Sequence, residues 1–265
     1  MTTTRTTRIT LTAAGLLLAA VPAACGDDPS PRADATTTEP AGAAAVIDPG
    51  DGGEYAPRID PADFVEGIDN PYLPFEPGTR WVYEGDSDGE HERIEVAVTD
   101  ETRQVMGITA VVVRDTVYVD GEIVEDTLDW FAQDRAGNVW YLGEDTHEYE
   151  DGQPVNRNGA WEAGVDGALP GIVMPAVPEV GFAYRQEYLA GEAEDLGEIL
   201  HVGVARTIGL GHYDDVVVTR DWNPLEPEVV EEKWYAAGVG LIYETTTAGG
   251  RGTVELVAHT PPPAG

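Results

Sequence analysis

The chain has 265 residues, with 49 acidic against 15 basic side chains and a formal charge of −34 at pH 7. Such a field argues against nucleic acid and anionic lipid as partners. One cysteine excludes a disulfide within the chain, and no apolar run reaches the roughly 20 residues that a membrane helix needs.

Arg5 and Arg8 precede the apolar stretch ITLTAAGLLLAAV and the small residues PAAC, the layout of an export signal over residues 1–24. Cys25 stands directly after Ala24, where a lipoprotein signal peptidase cuts. The segment resembles a bacterial lipobox, with Pro22 where leucine is usual. That resemblance implies a thioether-linked, fatty-acylated glyceride on Cys25, tying the mature chain to the extracytoplasmic face of the cell membrane. Ordinary cleavage leaving a free thiol, or a retained anchor, are the alternatives. Loss of the leader removes Arg5 and Arg8 and takes the charge from −34 to −36.

Residues 25–57 are small, acidic and proline-rich, the composition of a disordered tether. DPADFVEG predicts one short helix, with Asp60 as N-cap and Pro61 at the first helical position. From there to residue 260 nearly every apolar run is short and alternating. HERIEVAVT sets Ile94, Val96 and Val98 on one face, and GTVELVAH does the same with Val254, Leu256 and Ala258. ITAVVVRDTVYV, EIVEDTLDWF, EILHVGVARTI, DDVVVTRDW and EEKWYAAGVGLIYETT read as further strands, separated by turns such as Asp120-Gly121 and RAGN. GEAEDLGEIL reads as a loop entering a strand. The expectation is a mainly β domain over 58–260, a single antiparallel curved sheet of half-barrel or barrel-like form, followed by a tail at 261–265. Lys233 is the sole lysine in the chain.

NVWYLGEDTHEYEDG sets Glu144, Asp145, Glu148, Glu150 and Asp151 among Trp140, Tyr141 and Tyr149. It forms the second arm of a hairpin whose apolar pattern fades after Gly143, so the reading is a strand leaving the core with a solvated acidic end. A hard cation takes six to eight oxygens, which makes Glu144, Asp145 and Glu148 a candidate calcium set, with no other cofactor expected. GDSDG matches a nucleophile elbow in letters, but a strand lies on either side of it where the elbow needs a following helix; a hairpin turn is expected at Ser87. The histidines show no ligand spacing, although His201 and His212 could meet across a hairpin. Carboxylate pairs such as Glu144 with Glu148, or Glu187 with Glu194, suit a hydrolase. WEAGVDGALPGIVMPAVPEVG is a long, weakly charged stretch: either a plug closing one end of the sheet, or a lip over a cavity with Trp161, Ile172, Val173 and Met174 against a ligand.

The blocks NPYLPFEPGTRWVYEG, RDTVYVDGEIVEDTLDWFAQDRAGNVWYLGEDTHEYEDG, WEAGVDGALPGIVMP, YRQEYLAGEAEDLGEIL and WYAAGVGLIYE resemble a widespread family of uncharacterised bacterial exported proteins and lipoproteins. The likeness runs from about Asn70 to Val257, with Ala236 where proline is commoner. It implies one β-rich extracytoplasmic domain and carries no established activity. More distantly, the architecture is similar to curved-sheet lipoproteins that cradle lipids. The leading reading is a membrane-anchored extracytoplasmic lipoprotein with a ligand-binding or carrier-like domain for a small hydrophobic or cationic ligand. A secreted carboxylate-dependent hydrolase and a structural or partner-docking envelope protein are the alternatives.

Overall fold

Period-two alternation broken by turn residues leaves the chain little choice but strands, and the computed structural model describes residues 55–263 in those terms. The expected leader, Cys25 and nearly all of the expected tether lie outside the described residues. The strands are β1 (Arg80–Ser87), β2 (Glu90–Val105), β3 (Ile108–Val119), β4 (Glu122–Gln133), β5 (Val139–Glu150), β6 (Gln153–Asn156), β7 (Trp161–Glu162), β8 (Leu169–Met174), β9 (Ala183–Arg185), β10 (Glu187–Tyr188), β11 (Leu196–Ile208), β12 (Gly211–Trp222), β13 (Val230–Ala236), β14 (Gly240–Ala248) and β15 (Gly252–Thr260). Asp88-Gly89, Asp120-Gly121 and Asp151-Gly152 all take positive φ, as the tightest hairpin turns require. The expected short helix is a single 3₁₀ turn, Pro61–Asp63, with the Asp60 carboxylate accepting from Ala62 N–H at 3.0 Å.

All strands join one antiparallel sheet in the order β10-β8-β5-β4-β3-β2-β1-β15-β14-β13-β12-β11-β9, with β6 and β7 paired to β5. The sheet curls into a barrel with one unsealed seam, as the sequence leads one to expect. The seam has a simple origin. β9 pairs with β11 and β10 with β8, so they form opposite edges of the sheet, yet only Gln186 separates them in the chain. Residues 183–188 therefore cross from one edge to the other. Gly171 on β8 permits that crossing, because a Cβ there would lie 2.2 Å from the Gln186 carbonyl carbon and 2.5 Å from the Arg185 oxygen.

The end of the barrel carrying the β4–β5 turn is filled by the segment between Phe64 and Thr79. Val65 N–H bonds the Gln133 carbonyl at 3.0 Å, Gly238 N–H bonds the Pro71 carbonyl at 2.7 Å, and Phe75 packs 5.0 Å from Phe131 and 5.9 Å from Trp81. This segment supplies the plug expected from Trp161–Gly181. That stretch instead forms β7 and β8 on the β5 edge, and Ile172 and Met174 are buried strand residues, not a lip. Fully burying an apolar side chain of this kind contributes roughly 1.5–3 kcal/mol. The fold also begins ahead of residue 58: Tyr55 is buried and its hydroxyl donates to the Pro170 carbonyl at 2.7 Å.

Candidate functional site

Away from the plugged end, the inward face of the barrel changes from apolar to acidic. On β4, Phe131, Asp129, Thr127 and Glu125 alternate onto one face. Register then decides what they meet: Asp115 on β3 stands opposite Thr127, while Glu144 and Thr146 on β5 stand opposite Asp129 and Thr127. Trp161 on β7 is opposite Glu144 and lies edge-on to Tyr141, 5.3 Å between ring centres. Glu187 of β10 completes this wall; its carboxylate is the strongest charged neighbour of Glu144. Asp115, Glu125, Asp129, Glu144 and Glu187 are all buried.

The wall depends on a β-bulge. Between Phe131↔Tyr141 and Asp129↔Glu144, β4 advances two residues and β5 three, with Gly143 at φ 133° in the extra step. An unbroken alternation from Tyr141 would point Glu144 outward. The extra residue turns it in, which overturns the reading of GEDTHEYEDG as a solvated end at this position.

Few partners meet these acids. Tyr141 donates to Asp129 Oδ1 at 2.6 Å and Thr146 to Glu144 Oε2 at 2.8 Å. Asp129 Oδ2, Glu144 Oε1 and both carboxylate oxygens of Asp115 and of Glu187 have no hydrogen-bond partner among the described residues. Burial is the first cause of their raised pKa values, with mutual repulsion next for Asp115, Glu125 and Glu144. Asp129 is pushed up to about 7, the Tyr141 hydrogen bond opposing, and Glu187 to about 8, opposed by the Trp161 indole beside it. Glu125 also reaches about 8.

A second wall lies on β12, β13 and β14. Lys233 sits 3.5 Å from Asp221 and 3.9 Å from Glu231, and directly across the ladder from Glu244. Burial pulls its pKa down, but Glu244, Asp221 and Glu231 outweigh that and hold the ammonium well above its usual value. Burial raises the pKa of Asp195, on the loop before β11; Glu187 of the first wall adds to the rise and Lys233 of the second opposes it, so Asp195 stands near both walls.

Of the residues singled out from sequence, Glu144 and Trp161 line this interior. Glu144 and Asp145 point to opposite faces: Asp145 pairs with Arg157 and faces His147, and Glu148 binds Asn156 at 2.8 Å. The expected calcium set is thus not brought together, and among the described residues no group of three or more His, Cys, Asp or Glu is arranged to hold a metal ion. Glu148 lies four residues along the strand from Glu144, accepts from Asn156 and is not among the buried acids of the first wall. Glu194 turns away from Glu187 to accept from Gly191 N–H. Val173 is partly buried beside Ile172 and Met174, and none of these three forms the acidic walls. His212 binds Thr207 and Asp214, whereas His201 stands opposite Val218, so the two do not meet. Ser87 ends β1 ahead of a tight turn. A surface depression lined by Asp88, Gly89, Gly250 and Arg251 lies at the rim, outside the interior. Among the described residues no helix is long and apolar enough to cross a membrane.

Two solved structures align with most of this chain. One is described as an exported protein with a YmcC-like fold from Bacteroides fragilis, 14% identical, TM-score 0.40, with 72% of this chain and 99% of that one aligned. The other is described as a lipoprotein from Parabacteroides distasonis, 14% identical, TM-score 0.38, with 71% and 98% aligned. No family model matches the chain, and no curated protein matches it. What the interior can do rests on this chain's own residues.

Proposed function

We propose that this chain is an extracytoplasmic lipoprotein, anchored through Cys25, whose barrel interior binds a small cationic ligand. The anchor is supported by the leader and by the position of Cys25 after Ala24. The ligand reading is carried by one observation: the buried acids of the first wall keep oxygens without any hydrogen-bond partner among the described residues. Isolated burial of an ionised carboxylate costs several kcal/mol, so such groups either stay protonated or meet a counter-charge. A cation entering the interior would offset repulsion among Asp115, Asp129, Glu144 and Glu187 together. An apolar ligand would leave every one of those oxygens unsatisfied, and a hydrolase would need a positioned acid pair that the candidates from sequence do not supply.

The test is thermal unfolding of the mature chain at pH 8 in 0.15 M sodium chloride, with a panel of small organic cations beside an uncharged apolar dye. A ligand at one hundred times its Kd stabilises by about 2.7 kcal/mol. A saturable upward shift with a cation and none with the dye is expected. Saturable dye uptake with no response to any cation would overturn the reading.

A further inference from the structure

We infer that the ligand presents a primary alkylammonium group and docks it at Thr127, among Asp115, Asp129, Glu144 and Glu187. The inference rests on the interior being a ligand site, and the protein's only lysine supplies the pattern. Lys233 faces an acid, Glu244, across one ladder and a threonine, Thr219, across the other, with Glu231 two residues before it on its own strand. Thr127 has the same surroundings. It faces Asp115 across one ladder and Thr146 across the other, with Glu125 two residues before it. The second wall is thus a finished ammonium site whose ammonium is built into the chain. In the first wall a short threonine takes the lysine's place; Arg185 eases the charge of Glu187, while Asp129 Oδ2, Glu144 Oε1 and both carboxylate oxygens of Asp115 have no hydrogen-bond partner among the described residues.

Two groups that are not acids point the same way. Trp161 Nε1 in the first wall, beside the Glu187 carboxylate, and the Tyr184 hydroxyl near the second, beside Gln186, belong to side chains more than nine-tenths buried, and neither makes a hydrogen bond of ordinary length and angle among the described residues. Both belong to aromatic rings, the side chains against which an alkyl chain ending in a cation packs. The charge type follows from geometry. Acids drawn from β3, β4, β5 and β10 approach from several directions, which matches the three diverging donors of an ammonium better than the flat fork of a guanidinium. A divalent metal is the poorer fit, since no metal-holding group of three is present among the described residues.

Calorimetry on the detergent-solubilised mature chain tests this with butylamine, 1,4-diaminobutane, methylguanidinium, tetramethylammonium and calcium, at pH 8 in 0.15 M sodium chloride. Both primary amines should bind saturably, and Glu144→Gln should weaken them at least about tenfold, the loss expected for one charged hydrogen-bond partner. Thr127→Lys should place an ammonium in the first wall, abolish amine binding and raise the melting temperature. If tetramethylammonium or methylguanidinium binds and the amines do not, the ammonium inference falls while the interior remains a cation site. If no cation binds, both fall. Should Thr127→Lys fail to fold, Glu144→Gln decides alone: amine binding unchanged in that variant would overturn the docking wall.

Discussion

Replacing Asp129 by asparagine should make the domain more stable at pH 8 and much less so at pH 5. Burial, opposed by the Tyr141 hydroxyl, holds the Asp129 carboxyl at about 7 against an ordinary 3.8. The folded state therefore binds a proton that the unfolded chain has released. Stability from that proton is complete below pH 4 and is lost as pH rises to about 7. Three pH units at 1.36 kcal/mol each set a ceiling of about 4 kcal/mol, shared with the facing groups Asp115, Glu125, Glu144 and Glu187. Glu125 and Glu187 extend the window to about 8. Asparagine keeps a carbonyl oxygen for the Tyr141 hydroxyl, 2.6 Å from Asp129 Oδ1, and removes the charge. Denaturant melts at pH 5, 6.5 and 8 in 0.5 M salt, which screens the exposed acids, would show wild-type stability falling with pH and Asp129→Asn falling less. A variant equally destabilised at both ends, or a wild type that gains stability as pH rises, would refute the reasoning.

Cys25→Ala should shift the protein from the detergent phase to the aqueous phase on phase separation; identical partitioning would remove the lipid anchor. Gly171→Ala should cost at least about 1–3 kcal/mol through overpacking, because its Cβ would meet the Gln186 backbone at 2.2 Å; an unchanged urea midpoint would show that the seam tolerates the added methyl. Met174→Asp buries a charge on β8, where Met174 is fully covered, so far-UV circular dichroism should report unfolding; a folded variant would return the stretch to a movable lip.

The sheet was legible because alternation and turn chemistry are local. HERIEVAVT and the Asp120-Gly121 turn needed nothing from the rest of the chain. What sequence reading missed follows from three irregularities, two that shift parity and one that changes the sheet edge. The extra residue at Gly143 turned Glu144 from outside to inside. A register shift between Val82 and Tyr83 leaves Ala258 exposed and stacks His259 on Trp81, 5.7 Å between rings. The chain crossing at Gln186 placed β9 and β10 on opposite edges, and no window of eleven residues can reveal that. For the interior, one signal stood in the open. In a chain with a single lysine and 49 acids, following the acids around Lys233 would have pointed to the second wall, though not to the first, where a threonine stands in the lysine's place.

Tyr55 gives the N-terminal segment a mechanical meaning. Its hydroxyl holds Pro170 on β8, its ring meets Tyr188 on β10 at 5.9 Å, and Arg185 on β9 lies 5.6 Å from the same ring. The point at which the chain enters the domain is thus fastened to both sides of the seam, where β8 and β10 share only two paired residues, Glu187↔Pro170 and Tyr188↔Leu169. Tension arriving along the N-terminal segment would be delivered to the shortest ladder closing the barrel, and not to the long hairpins opposite. If the anchor proposed at Cys25 holds the chain, the domain bears that load at its own door.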